Sequence, residues 1–135
     1  MLTIKNIEAV DTLDIRHKVM WPNKPKNYVR LANDENAIHF GLYLDMSLIS
    51  IVSLFSKDNE LQFRKFATLQ SYQGKGYGSK LLSYCFAYAK NEGYRKIWCN
   101  ARTDKSAFYK KFGLKETDTT FEKGGLQYVI MEKPL

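Results

Sequence analysis

Apolar and polar positions follow one another along this chain in short blocks, and the period of each block predicts its structure. Leu2 to Ile7 reads as a first strand. Asp11 follows as a helix N-cap, with Asp14 in the first turn and Leu13, His17 and Met20 along the predicted helix, which Trp21-Pro22 ends. Residues 22–36 are polar and punctuated by prolines, the pattern of an irregular loop with one short helical turn. Ala37 to Leu44 and Leu48 to Phe55 read as strands around a tight turn at Asp45-Met46. A second turn at Lys57-Asp58-Asn59 leads to a third strand, Leu61 to Thr68. Such short connections make these three strands antiparallel.

The strongest helical period runs from Gly76 to Asn91, where Leu81, Leu82, Cys85, Tyr88 and Ala89 form one apolar stripe and Gly93 follows as a C-cap. Lys96 to Asn100 is a short strand reached by that helical crossover, so it is predicted to pair in parallel with Leu61 to Thr68. Ser106 to Phe112 reads as a short helix stopped by Gly113. Leu114 to Phe121 and Leu126 to Lys133 then read as a hairpin across Gly124-Gly125. The order β-α-β-β-β-α-β-α-β-β predicts an α/β (α+β) chain. Its sheet is mixed, mostly antiparallel, with about seven strands and flanking helices, and residues 1–135 form a single domain.

Composition narrows the picture. At 44% hydrophobic residues in 135, a core is within reach of the chain. The longest apolar stretch, Leu48 to Phe55, is broken by Ser50 and Ser53 and is too short to span a bilayer. The opening residues lack the apolar core of a signal peptide, so a cytoplasmic protein is expected. Cys85 and Cys99 stand apart from each other and from His, which supports two buried thiols over a metal or redox pair. The net charge of +7 favours an anionic ligand, but the basic residues are scattered, with no recognisable nucleic-acid-binding module.

The candidate chemistry lies in Gln70 to Leu82, QSYQGKGYGSKLL, where glycines recur at positions 74, 76 and 78 on the doorstep of the best helix. Glycine admits φ > 0 and close ligand approach, and a helix N-terminus offers unpaired N–H groups and a positive dipole end. Ser79 stands where both a P-loop and a dinucleotide fingerprint require glycine. The pattern Q-x-x-G-x-G at Gln73, Gly76 and Gly78 fits in every position. The simpler alternative is a flexible turn that only starts a helix.

This loop resembles the acyl-CoA-binding motif of the GNAT superfamily of N-acetyltransferases. NARTDKSAFYKKFGL, Asn100 to Leu114, resembles the family's later motif, a short helix carrying Phe-Tyr before Gly and an apolar residue. IRHKVMWPNKP, Ile15 to Pro25, is similar to the opening of an uncharacterised bacterial branch. The resemblance implies acetyl-CoA as acyl donor and an amine of a small molecule or protein as acceptor, attacking the thioester directly. It implies a pyrophosphate held by backbone from Gln73 through Gly74, Lys75, Gly76, Tyr77 and Gly78 to Ser79, with Lys75 as an added cation. It implies a pantetheine arm along Phe66, Ala67 and Thr68, and a thioester near Asn100. It also implies that loop 22–36 and the final hairpin shape the acceptor cleft.

Tyr109 matches the family tyrosine near the sulfur and is the candidate acid; the alternative is an aromatic core residue like Phe108 and Phe112. The place where some members carry a basic Glu holds Gln62, which leaves Glu60, His39 or a water chain as the base. Arg64, on the same strand face as Gln62, is a candidate partner for a substrate carboxylate, against the alternative of a surface charge. Gln62 also keeps open a catalytically weak CoA-binding module with a regulatory role. The hairpin edge admits a homodimer.

Overall fold

The computed structural model describes residues 1–135. In chain order its elements are β1 (Leu2–Ile7), α1 (Leu13–Met20), β2 (Ile38–Leu44), β3 (Ser47–Lys57) and β4 (Glu60–Thr68). There follow α2 (Tyr77–Asn91), β5 (Lys96–Arg102), α3 (Ser106–Lys110), β6 (Lys115–Lys123) and β7 (Leu126–Pro134). The seven strands hydrogen-bond in the order β1-β2-β3-β4-β5-β7-β6. The ladders β1–β2, β2–β3, β5–β7 and β6–β7 are antiparallel. The β4–β5 ladder is parallel, as the crossover demands, and registers only Glu60, Leu61 and Gln62 against Lys96, Ile97 and Trp98. Between β3 and β4, Asp58 and Asn59 both take positive φ (55° and 63°), as a two-residue I′ hairpin turn requires. No helix is long and apolar enough to cross a membrane.

The chain forms two compact units. One comprises Met1–Phe55 with Arg64–Cys85, the other Ser56–Phe63 with Phe86–Leu135. In the first, Ile7, Ile15, Ile51 and Ala67 form a core cluster, with Val19, Met20, Tyr43, Leu48 and Leu69 packed against it. In the second, Phe63 meets Phe86 at 6.2 Å and Phe86 meets Phe112 at 5.7 Å between ring centroids, both edge to face.

Two local readings are corrected. Asp11 does not cap α1. It closes a preceding 3-10 turn, Ala9–Thr12, where its carboxylate accepts the Glu8 N–H at 2.9 Å, and Thr12 stands at the start of α1. Of the residues expected along this helix, Leu13 is buried and Met20 packs against the core of the first unit, while the other buried positions are Ile15 and Arg16. On α2 the fully buried residues are Leu81, Leu82, Cys85 and Ala89, and Phe86 rather than Tyr88 completes the stripe, because the aromatic cluster of the second unit draws it in.

Loop 22–36 carries two short 3-10 turns, Lys26–Val29 and Asp34–Asn36, and is tied down by a buried charge. The side chain of Arg16 is fully buried. Its Nη1 donates to the Val29 carbonyl (3.0 Å) and Asp34 Oδ2 (2.8 Å), and its Nη2 to Asp34 Oδ1 (2.9 Å) and Ser53 Oγ (2.8 Å). Asp34 Oδ2 also accepts the Leu31 N–H at 2.9 Å. Burial opposes ionisation of Asp34, but the Arg16 guanidinium and the Leu31 N–H together hold its carboxyl below the usual value.

Removing one partner of such a pair leaves the other charge buried alone, so Asp34→Ala and Arg16→Ala are each expected to cost about 3–5 kcal/mol in urea unfolding at pH 7. The folded carboxyl keeps its charge to lower pH than the unfolded one. Its stabilisation is therefore complete above about pH 4 and is lost as pH falls through the lowered folded value, a loss that Asp34→Ala should not show. Cys85 and Cys99 are free and buried; burial pushes both thiols up, that of Cys99 to about 12. Neither is expected to react with DTNB at pH 8 until the chain is unfolded.

Candidate functional site

The three glycines of the loop answer to different constraints. Gly74 and Gly76 take φ of 77° and 87°, a region that costs any residue with a Cβ, and no other group lies within 4 Å of where a side chain would begin. Gly78 has ordinary φ and is needed for space: a Cβ there would lie 3.1 Å from Phe66 Cζ and 3.2 Å from Thr68 Oγ1. Two glycines thus shape the turn, and the third lets α2 approach β4. The first helical bond of α2 runs from the Lys80 N–H to the Gly76 carbonyl at 3.1 Å. The N–H groups of Tyr77, Gly78 and Ser79 therefore precede the ladder, at the positive end of the helix dipole.

The role of Gln73 differs from expectation. Its own N–H bonds to the Gln70 carbonyl at 3.2 Å, closing a 3-10 turn, so it is not available to a ligand. Its side-chain Nε2 instead donates to the Thr68 carbonyl at 2.9 Å and fastens the loop to the end of β4. Lys75 lies with Nζ 6.0 Å from the centroid of the Tyr72 ring, and Tyr72 meets Tyr77 edge to face at 6.2 Å. The cation and the aromatic pair flank the glycines.

The strand before the loop is not regular. Lys65 takes φ of 55° in the middle of β4. In a regular strand, residues three apart point to opposite faces. Phe63 nevertheless contacts Phe86 of α2, and Phe66 faces Gly78 of the same helix. The left-handed residue inverts the alternation, so Phe66 and Thr68 face α2 and Ala67 enters the core cluster with Ile15 of α1. On β3, Ser50 and Ser53 do obey the rule. Ser53 joins the Arg16 network, while Ser50, fully buried, bonds to the Ala67 carbonyl at 3.0 Å and Thr68 Oγ1 at 2.9 Å. Ser50 was not among the residues expected at the site. Its signal was a polar residue inside an apolar strand.

Among the expected residues, Phe66, Ala67, Thr68 and Gln73 to Ser79 are brought together in the first unit. Asn100 and Tyr109 belong to the second, where Asn100 lies on β5 opposite Ile130 and is exposed. The Tyr109 ring is held 5.7 Å from Phe63 and 5.2 Å from Phe108. Burial, with a smaller contribution from neighbouring Cys99, pushes its phenol above the ordinary value. A thiolate, the conjugate base of a group near 8.5, cannot readily take this proton outright. The environment suits a hydrogen-bond donor better than a free acid.

The side chains considered as bases are engaged. His39 is buried, with Nε2 2.9 Å from the Asp34 carbonyl and Nδ1 2.7 Å from Ser53 Oγ. A carbonyl only accepts, so Nε2 carries the proton and Nδ1 accepts from Ser53; no lone pair remains for a substrate. Glu60 is in an ion pair with Arg95. Gln62 has no titratable group. Arg64 stacks over Phe55, 5.4 Å from the ring centroid, which favours its reading as a packed surface cation.

Comparison with known proteins agrees with this geometry. A family profile described as Acetyltransferase (GNAT) domain matches residues 11–135. An uncharacterized N-acetyltransferase, YitI of Bacillus subtilis (strain 168), is 31% identical, over 100% of this chain and 97% of the relative. The crystal structure of the ribosomal-protein-S18-alanine N-acetyltransferase from Escherichia coli superposes with a TM-score of 0.82 at 18% identity, covering 99% of this chain and 94% of that one. A GNAT family acetyltransferase from Elizabethkingia anophelis with acetyl-CoA bound gives a TM-score of 0.78 at 18% identity, covering 99% and 98%. The chain therefore belongs to the GNAT family of acetyltransferases, and it is an N-acetyltransferase whose acetyl donor is acetyl-CoA.

Proposed function

We propose that residues 1–135 act as one acetyltransferase domain in which the loop from Gly74 to Ser79 holds the pyrophosphate of acetyl-CoA and Tyr109 assists departure of the thiolate. The observation that carries this reading is the N-terminus of α2: three N–H groups ahead of the helical ladder, beside two left-handed glycines with open space around them. Such a cradle suits a doubly charged pyrophosphate and needs no metal ion to neutralise it. Lys75, beside the Tyr72 ring, adds a cation next to the glycines. Phe66, Ala67 and Thr68 would line the pantetheine arm, and Asn100 the thioester end.

Acetyl-CoA supplies an activated carbonyl and a sulfur leaving group. The protein's part is to orient it, to stabilise developing charge and to receive a neutral amine. Tyr109, kept protonated by burial, would donate a hydrogen bond to the sulfur as the C–S bond breaks. The amine proton would leave through water, since His39 is committed to Ser53 and Asp34, and Glu60 to Arg95. The acceptor is a primary amine, and loop 22–36 would shape its side of the site. Two free buried thiols and a CoA thioester fit a reducing compartment, which supports the cytoplasm as the place of reaction.

Calorimetric titration with acetyl-CoA tests the loop. The native protein should bind at micromolar Kd, and Gly76→Asp, which sets a carboxylate against the pyrophosphate, should lose affinity by at least about 100-fold. Absence of binding to the native protein would reduce the loop to a structural turn.

For Tyr109, an amine screen read by thiol release supplies the assay. Tyr109→Phe should keep acetyl-CoA affinity within about twofold and lower kcat by roughly 10- to 1,000-fold. Because the phenol is raised, the native pH–rate profile should show no descending limb from Tyr109 below about pH 10. A loss in kcat under threefold would remove Tyr109 from the mechanism.

A further inference from the structure

We infer that Ser50 is a positioning residue for the acyl donor: it fixes the hydroxyl of Thr68 as a hydrogen-bond acceptor turned toward the N-terminus of α2. The inference rests on the reading that the neighbouring loop holds acetyl-CoA, and it adds a residue and a polarity that this reading does not require.

The available protons fix the direction of each hydrogen bond here. Ser50 lies in β3 with no exposure to solvent. Its Oγ is 3.0 Å from the Ala67 carbonyl and 2.9 Å from Thr68 Oγ1. A serine has one proton to give, and a carbonyl can only accept. Ser50 therefore donates to Ala67, and the bond between the two hydroxyls must run from Thr68 to Ser50. That choice fixes the Thr68 proton inward, toward β3. What remains on Thr68 Oγ1 is lone-pair density, and Gly78 is the neighbour it faces. The Thr68 carbonyl is held separately by Gln73 Nε2 at 2.9 Å, so the hydroxyl and the carbonyl of this residue are both oriented before any ligand arrives.

The consequence is a division of polarity across the donor site. The N–H groups of Tyr77, Gly78 and Ser79 attract phosphate oxygens. Thr68 Oγ1 accepts, so it favours an amide N–H and disfavours a carbonyl or phosphate oxygen. A pantetheine arm carries amide N–H groups and a pyrophosphate does not. The relay from Ser50 thus favours one orientation of the donor at the junction between strand and loop. Without Ser50, Thr68 is free to turn its proton outward and the distinction is lost.

Two ligands separate this role from simple packing. Acetyl-CoA carries both arm and phosphates, whereas 3′-phosphoadenosine 5′-diphosphate keeps the pyrophosphate and lacks the arm. Calorimetry would compare native protein, Ser50→Ala, Thr68→Val and Thr68→Ser with each. The expected result is a loss of about 5- to 50-fold in acetyl-CoA affinity for Ser50→Ala and Thr68→Val, with the nucleotide bound within about twofold of native. Thr68→Ser, which keeps the hydroxyl, should restore native affinity. Equal losses for both ligands would mean that Ser50 only supports the loop, and unchanged acetyl-CoA affinity in Ser50→Ala would also overturn the inference. Should Ser50→Ala fail to fold, the contrast between Thr68→Val and Thr68→Ser decides. A native protein that binds neither ligand would instead refute the underlying assignment of the loop.

Discussion

The structure turns on one backbone constraint in β4. Lys65 sits in the left-handed region, where a residue with a Cβ costs about 1–2 kcal/mol. In return the strand exchanges its faces halfway along. Before Lys65, Phe63 packs into the aromatic cluster that holds Tyr109. After it, Ala67 enters the core beneath α1 while Phe66 and Thr68 come round to meet Gly78. A regular strand with this sequence would put Phe66 and Thr68 against α1 and aim Ala67 at the helix that opens the glycine loop. The packing of β4 against α2 is thus set before the glycine loop begins, and Gly78 is the complementary adjustment on the helix.

Polar groups in the first unit's interior work in the same direction on its two sheet faces. Ser53 and Ser50 leave β3 on opposite sides. On one side, the four Nη protons of Arg16 meet Asp34, Val29 and Ser53, and the loop between α1 and β2 is stitched to the sheet. His39 completes that network and is thereby withdrawn from chemistry. On the other side, Ser50 secures the end of β4. A buried ion pair is weak evidence for added stability, but breaking one partner is costly, so such a network specifies where the loop lies. Only Arg16 Nε is left without a partner.

Much of this was legible in the sequence. Strand and helix periods gave the elements in their order, because each buries one face and declares it by its spacing. The parallel β4–β5 pair followed from the crossover length, and the glycine turn that opens α2 from Q-x-x-G-x-G ahead of an apolar helix. What was hidden depends on contacts between distant residues. Arg16 and Asp34 look like ordinary surface charges until the fold closes eighteen positions of chain between them. Lys65 gives no local sign of positive φ, since it is neither Gly nor Asn. The three glycines look alike in sequence, yet two answer to torsion and one to space. His39 is of a residue type that often serves as a base, and its two hydrogen bonds exclude it here.

The environment of Tyr109 shows why position and protonation have to be argued together. The same aromatic packing that fixes the ring beside Phe63 and Phe108 also removes water from the phenol and raises its pKa. A raised pKa is a handicap for a group asked to surrender its proton to a thiolate. It is no handicap for one asked to stabilise negative charge growing on sulfur, because a donor in a dry setting interacts more strongly with that charge than one in water. A less buried tyrosine would be the better acid and the worse placed donor. Such stabilisation would leave the acceptor amine's own proton to solvent, which agrees with the pairing of Glu60 with Arg95 and with the uncharged Gln62 on the same strand.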